Sequence, residues 1–149
     1  MLQSTKRGLG SFVLGALVLT AAACNSEDPV EPPAEENPDD LSGSYTLVSI
    51  NAVATGGATL IPPLVNGSMT LSQDSVSGTM ATGTMTISIT VSGQTQEIDG
   101  TYENNLDGTW SQDSNNVQAT GTYTLAADTL TVVVTEPATA VSTTVWSEN

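Results

Sequence analysis

In Met85-Thr86-Ile87-Ser88-Ile89-Thr90-Val91 an apolar side chain stands at every second position, with a small hydroxyl side chain between. Successive side chains of an extended backbone point to opposite faces, so this stretch reads as a strand with one dry face and one wet face. The same period runs through Val117, Ala119, Gly121, Tyr123 and Leu125, and again through Leu130, Val132 and Val134. Residues 42–149 carry no convincing 3.6-residue period, and the fold class expected is all-β.

Clusters of Gly, Asn, Asp and Ser cut residues 42–149 into eight such segments, at about 44–50, 67–73, 83–92, 95–103, 106–112, 116–125, 129–135 and 140–147. Most links are short, among them "SG" at 92–93, "NNL" at 104–106, "DSNN" at 113–116 and "AAD" at 126–128. Links of this length join neighbouring antiparallel strands, which places the eight in sequence order. Such a meander removes its two unpaired edges most simply by closing on itself. The expected architecture is an eight-stranded antiparallel up-and-down barrel.

One link stands apart. Residues 51–65, "NAVATGGATLIPPLV", are long, partly apolar and contain Pro62-Pro63. A loop of that length in a small domain is usually functional or without fixed structure. Leu60, Ile61, Leu64 and Val65 give it an apolar tip, which folds either over the barrel mouth as a gate or against the outer wall.

A three-residue phrase also recurs: Gly100-Thr101-Tyr102, Gly108-Thr109-Trp110 and Gly121-Thr122-Tyr123, with Gly43-Ser44-Tyr45 and Gly83-Thr84-Met85 as variants. Glycine and ring are two apart and share one face of a strand. A bare glycine lets a strand bend at a barrel corner while a ring covers the exposed backbone. Alternatively, Tyr102, Trp110 and Tyr123 point inward from neighbouring strands and, with Met69, Leu71, Met85 and Ile87, line a pocket for an acyl chain or other apolar group. Recurrence once per strand favours the geometric role over a single site.

The opening "LSGSYTLVSINA", the long loop, the hairpins, "GTYTLAADTLTVVV" and the closing "TTVWSEN" together resemble the small lipocalin-like domains found on bacterial lipoproteins. Gly43-Ser44-Tyr45 falls where lipocalins carry Gly-x-Trp, and Trp146 stands near the end where they carry an arginine. The resemblance implies a barrel that binds a small hydrophobic molecule.

The beginning of the chain reads as an address. Lys6 and Arg7 precede an apolar run at 9–20, interrupted by Gly10, Ser11 and Gly15 and followed by Ala21, Ala22 and Ala23. This is a signal-peptide layout, and the run is shorter than the roughly 20 apolar residues of a membrane span. "LTAAAC" resembles the lipobox of bacterial lipoproteins, which implies that Cys24, the only cysteine, is lipidated and becomes the first mature residue. Two or three acyl chains anchor a protein stably where one does not. An ordinary secretory peptide with an incidental cysteine is the other reading of these residues. Next comes "NSEDPVEPPAEENPDDL", residues 25–41, with seven acids and four prolines. It has too little apolar surface to fold and reads as a disordered acidic tether, reaching about 50 Å at roughly 3.1 Å per residue. Asn25 after the cysteine resembles lipoproteins forwarded to the outer membrane, while the early acids Glu27 and Asp28 resemble surface-export signals, leaving the periplasmic and surface leaflets both open. The organisation expected is a signal peptide at 1–23, a lipidated cysteine and tether at 24–41, and a barrel domain at 42–149.

Charge narrows the function. Lys6 and Arg7 are the only basic residues, histidine is absent, and all 16 acids follow Cys24. Nothing after the signal segment can neutralise phosphate, which excludes nucleic acid and any basic-patch attachment to anionic lipid. The lack of Lys and Arg after position 7 also admits a second reading, adaptation of the surface to a saline habitat. Triad hydrolysis needs a base that this chain lacks. Asp99, Glu103 and Asp107 are the nearest approach to an acid–base set, and turn-rich surroundings do not bury a carboxyl enough for that work. With Asn104 these acids also suggest calcium, yet they lack the spacing of a calcium loop, and hairpin turns explain Asn104-Asn105 and Asp107-Gly108. No enzyme, cofactor or metal site is therefore expected. The function anticipated is non-enzymatic binding of a small hydrophobic molecule in a membrane-anchored envelope lipoprotein, or else a filled barrel acting as a structural or protein-interaction module.

Overall fold

The computed structural model describes residues 36–149. The signal segment, Cys24 and tether residues 25–35 lie outside the described part. Nine strands form one antiparallel sheet: β1 (Gly43–Ala52), β2 (Thr59–Leu60), β3 (Val65–Ser77), β4 (Met80–Val91), β5 (Gln94–Asn105), β6 (Thr109–Ser114), β7 (Val117–Ala126), β8 (Thr129–Glu136) and β9 (Ser142–Glu148). Apart from the two-residue β2, sequence neighbours are sheet neighbours, and β1 also pairs with β9 from Tyr45 opposite Glu148 to Ala52 opposite Ser142. The eight long strands close into an up-and-down barrel, as the meander predicts.

Alternation decides what lies inside. Met85 and Ile87 of β4, Tyr123 of β7, and Leu130, Val132 and Val134 of β8 are all buried, while Thr86, Thr131 and Val133 between them are exposed or half-buried. The period breaks once in β1, where Leu47 and Ile50 are three apart and both inside. A register shift between Leu47 and Ser49 accounts for it, since an extra residue in one strand turns the following side chains over.

Three triplet glycines allow strands to approach more closely than a Cβ permits. At Gly83, Gly100 and Gly121 a Cβ would run into the carbonyl oxygens of Ser72, Asp113 and Val133 respectively. Gly108 serves differently, turning the β5–β6 hairpin at φ 82°. That turn also corrects the expected one at 104–106. Asn104 is fully buried as the last inward residue of β5, and the link is Leu106-Asp107-Gly108, closed by the Gly108 N–H donating to Asn105 O at 2.9 Å.

The expected tether also ends earlier than residue 41, because Pro38 and Leu41 are buried. The Tyr45 hydroxyl donates to Leu41 O at 2.9 Å, and Asn104 Nδ2 donates to Asp39 O at 2.9 Å. Residues 38–42 thereby close one end of the barrel. Two apolar residues at the edge of an acidic, proline-rich run suffice to draw its last turn into the core.

Candidate functional site

Along its axis the barrel interior falls into a filled half and a hollow half. In the filled half, toward the closed end, Leu41, Tyr45, Leu71, Met85, Tyr102, Tyr123 and Leu130 are buried core side chains that take no part in lining the cavity of the other half. Tyr102 stacks on Trp110 with ring centres 5.2 Å apart and planes 8° from parallel, and Tyr123 meets the same indole at 6.4 Å and 60°. Offset and tilted contacts of this kind are favoured by the ring quadrupoles. The three triplet aromatics do converge inward from neighbouring strands.

Beyond Trp110 the packing stops. A cavity of about 660 Å³ occupies the other half, within the range usual for small-molecule sites. Trp110, Trp146, Met69 and Ile87 meet it from the filled side, and its wall includes Ile89, Val91, Ile98, Ala119, Val132 and Val134. Both indole N–H groups are paired along their own strands, Trp110 donating to Gln112 Oε1 at 3.1 Å and Trp146 to Thr144 Oγ1 at 2.9 Å. What the rings offer the cavity is therefore apolar surface.

The rim is built by the long loop. Ala52, Ala54, Thr55 and Leu60 line the mouth, held by a 3₁₀ turn at Val53–Thr55 and by β2 paired to the end of β1. The Ala52 N–H donates to Thr55 Oγ1, Asn51 Nδ2 donates to Gly57 O at 2.8 Å, and the Val53 N–H donates to Val141 O at 3.0 Å in the β8–β9 link. Of the expected apolar tip, Leu60 faces the cavity and Val65 is buried at the start of β3, whereas Ile61 and Leu64 remain 55% and 66% exposed.

Of the candidate ligand residues, Met69, Ile87 and Trp110 line the cavity, while Leu71, Met85, Tyr102 and Tyr123 pack in the filled half. Cys24 lies outside the described residues. Ile50, Ile89, Val91, Ile98, Val132, Val134 and Trp146 also line the cavity and were not singled out from the sequence. Their signal was present, because Ile89 and Val91 continue the period of Met85 and Ile87.

Asp99, Glu103, Asn104 and Asp107 do not converge. Asp99 accepts from Thr86 Oγ1, Asn104 points inward, and Asp107 accepts from the Thr109 N–H and hydroxyl, bonds that hold its carboxyl below the usual range. Among the described residues no group of three potential ligands could hold a metal ion. At the closed end the Tyr102 hydroxyl and Asn104 Oδ1 are buried without a hydrogen-bond partner among the described residues. Burial, helped by Asp40, Tyr45 and Asp74, pushes the Tyr102 phenol up to about 12.

No protein-family model matches this chain, and no curated protein matches it in sequence.

Proposed function

We propose that this protein is a lipid-anchored carrier of the bacterial cell envelope, whose lipocalin-like barrel binds one small hydrophobic molecule without catalysis. The observation that carries the proposal is the cavity of about 660 Å³, apolar in its wall, closed at one end and rimmed at the other by an ordered loop. A barrel serving only as a scaffold gains dispersion energy by filling its interior, and this one is filled through half its length only. Anchoring rests on the lipobox-like sequence at Cys24 and is a separate part of the reading.

Native mass spectrometry of the Cys24→Ser variant, which carries no acyl anchor and is purified without detergent, followed by organic extraction, tests the carrier role. A bound mass of a few hundred daltons, lost when Ile87→Glu puts a carboxylate in the wall, is the expected result. An empty protein that also takes up no added hydrophobic probe would end this reading. For the anchor, Cys24→Ser should move the protein from the membrane to the soluble fraction. The exposed Ile61 and Leu64 favour a second reading, a protein-interaction module. In that case Leu64→Asp would abolish a protein partner while leaving the cavity and its contents unchanged.

A further inference from the structure

We propose that the cavity selects an uncharged ligand, such as a long-chain alcohol, ester or hydrocarbon, and rejects the same chain ending in a carboxylate. This rests on the carrier reading of the cavity and goes one step beyond it, to the chemistry of the ligand's head.

The first observation is the lining. Among the described residues no Asp, Glu, Lys or Arg contributes to the cavity, so neither an anionic nor a cationic head would find a countercharge in its lining. Removing an ionised group from water without a partner is far costlier than burying a hydroxyl or carbonyl that gains a hydrogen bond. Toward the mouth the lining turns polar but stays neutral, with Gln96, Ser114, Thr139 and Ser142. Amide and hydroxyl groups of this kind can pair with a ligand hydroxyl or ester carbonyl.

A second observation concerns the distribution of charge on the barrel. The links that surround the mouth, residues 53–64, 92–93, 115–116 and 137–141, contain no charged residue, and the charged residues on the strand ends that lead into them, Glu97, Asp113 and Glu136, are all acidic. At the opposite end Asp39, Asp40, Asp107, Asp128 and Glu148 crowd the closing segment, two hairpin turns and the final strand. Basic side chains are absent from the described residues altogether. A carboxylate left at the mouth, with only its chain inside, would still sit in the field of an acidic domain with nothing to offset it. Inside and at the rim, the same head group is disfavoured.

The chain has two tryptophans, and both line the cavity, so intrinsic fluorescence reports on occupancy. The full-length Cys24→Ser variant, which carries no acyl anchor and is purified without detergent, is titrated at about pH 8 with dodecan-1-ol below its solubility limit and with dodecanoate below its micelle concentration. Dodecanol is expected to change the emission and saturate, with dodecanoate weaker by about tenfold or more because its charge is unpaired. The gap should shrink as pH falls and the carboxylate takes up a proton. Gln96→Lys, at an exposed position of the mouth, should narrow the gap at pH 8 by supplying the missing countercharge. Equal or tighter binding of dodecanoate at pH 8 overturns the ligand class while leaving the cavity a binding site. A folded protein whose emission responds to neither probe overturns the carrier reading, and this inference with it.

Discussion

The ring of Tyr102 lies over Gly83 on the neighbouring strand, so close that a Cβ on Gly83 would stand 2.6 Å from Tyr102 Cε1 and 2.8 Å from Cζ. The two residues are direct partners in the β4–β5 ladder. Trp110 and Gly121 are partners in the same sense between β6 and β7. At Gly83 the glycine of one strand makes room for the ring of the next, and the ring covers the bare backbone, whereas at Gly121 the missing Cβ makes room for the Val133 carbonyl of β8.

Gly83→Ala and Gly121→Ala should therefore be among the most damaging small substitutions in the barrel. The added methyl would meet the Ser72 carbonyl and the Tyr102 ring in the first case, and the Val133 carbonyl in the second. Backbone cannot move aside as a flexible side chain can, so a loss of about 3 kcal/mol, the upper end of ordinary overpacking, is expected. Gly57→Ala is the control, since nothing lies within 4 Å of its Cβ direction, and its positive φ of 76° leaves a smaller cost of about 1 kcal/mol. Urea unfolding midpoints of the three variants check the ranking.

The tyrosines set the alkaline limit of stability. All three in the chain, Tyr45, Tyr102 and Tyr123, are buried, and burial is the main cause that raises each phenol above its ordinary value of 10.0. A folded-state pKa above the unfolded one means that the folded protein keeps protons which the unfolded chain gives up. That contribution is complete below about pH 10 and is lost as pH climbs through the folded values, about 12 for Tyr102. The described residues contain no His, Lys or Arg to titrate in between. Denaturation midpoints should stay level from about pH 7 to 9 and fall steeply from about pH 10 to 12, in step with phenolate absorbance.

Tyr102 and Tyr45 should respond in opposite ways to loss of the hydroxyl. The Tyr102 hydroxyl is buried without a partner among the described residues, so Tyr102→Phe should leave stability unchanged or raise it by up to about 1 kcal/mol. Tyr45→Phe strands the Leu41 carbonyl that its hydroxyl serves and loosens the segment closing the barrel, at a cost of about 1 to 2 kcal/mol. Thermal unfolding of the two variants, compared side by side, would refute this if Tyr102→Phe proved the more damaging.

The barrel was legible because the two-residue period carries through Met85–Val91, Val117–Leu125 and Leu130–Val134, and because the links between strands are too short for any partner but the neighbour. Which side chains face inward followed from the same parity. Depth along the axis did not, since a period of two places Met85 and Ile87 on one face without saying that the first is packed and the second borders a void. Choosing site residues by proximity to the aromatic triplets led toward the filled half for the same reason. The shift in β1 and the inward turn of Asn104 depend on partners distant in sequence, such as Val145 of β9 and Asp39.

That division of the interior can be tested by adding volume on each side of Trp110. Ala119 borders the cavity opposite Gln112, and Ala119→Leu extends its side chain into open space. Stability should change by less than about 1 kcal/mol, because new apolar contacts with the wall offset any local strain. Binding of a hydrophobic probe should weaken, because the ligand and the new side chain compete for the same volume. Leu71→Phe enlarges a side chain of similar burial in the filled half, where no such space exists, and should cost about 1 to 3 kcal/mol. Chemical denaturation with and without dodecanol separates the outcomes. Equal cost at both positions would mean that the hollow half is as tightly packed in solution as the filled half, and that no ligand can enter it.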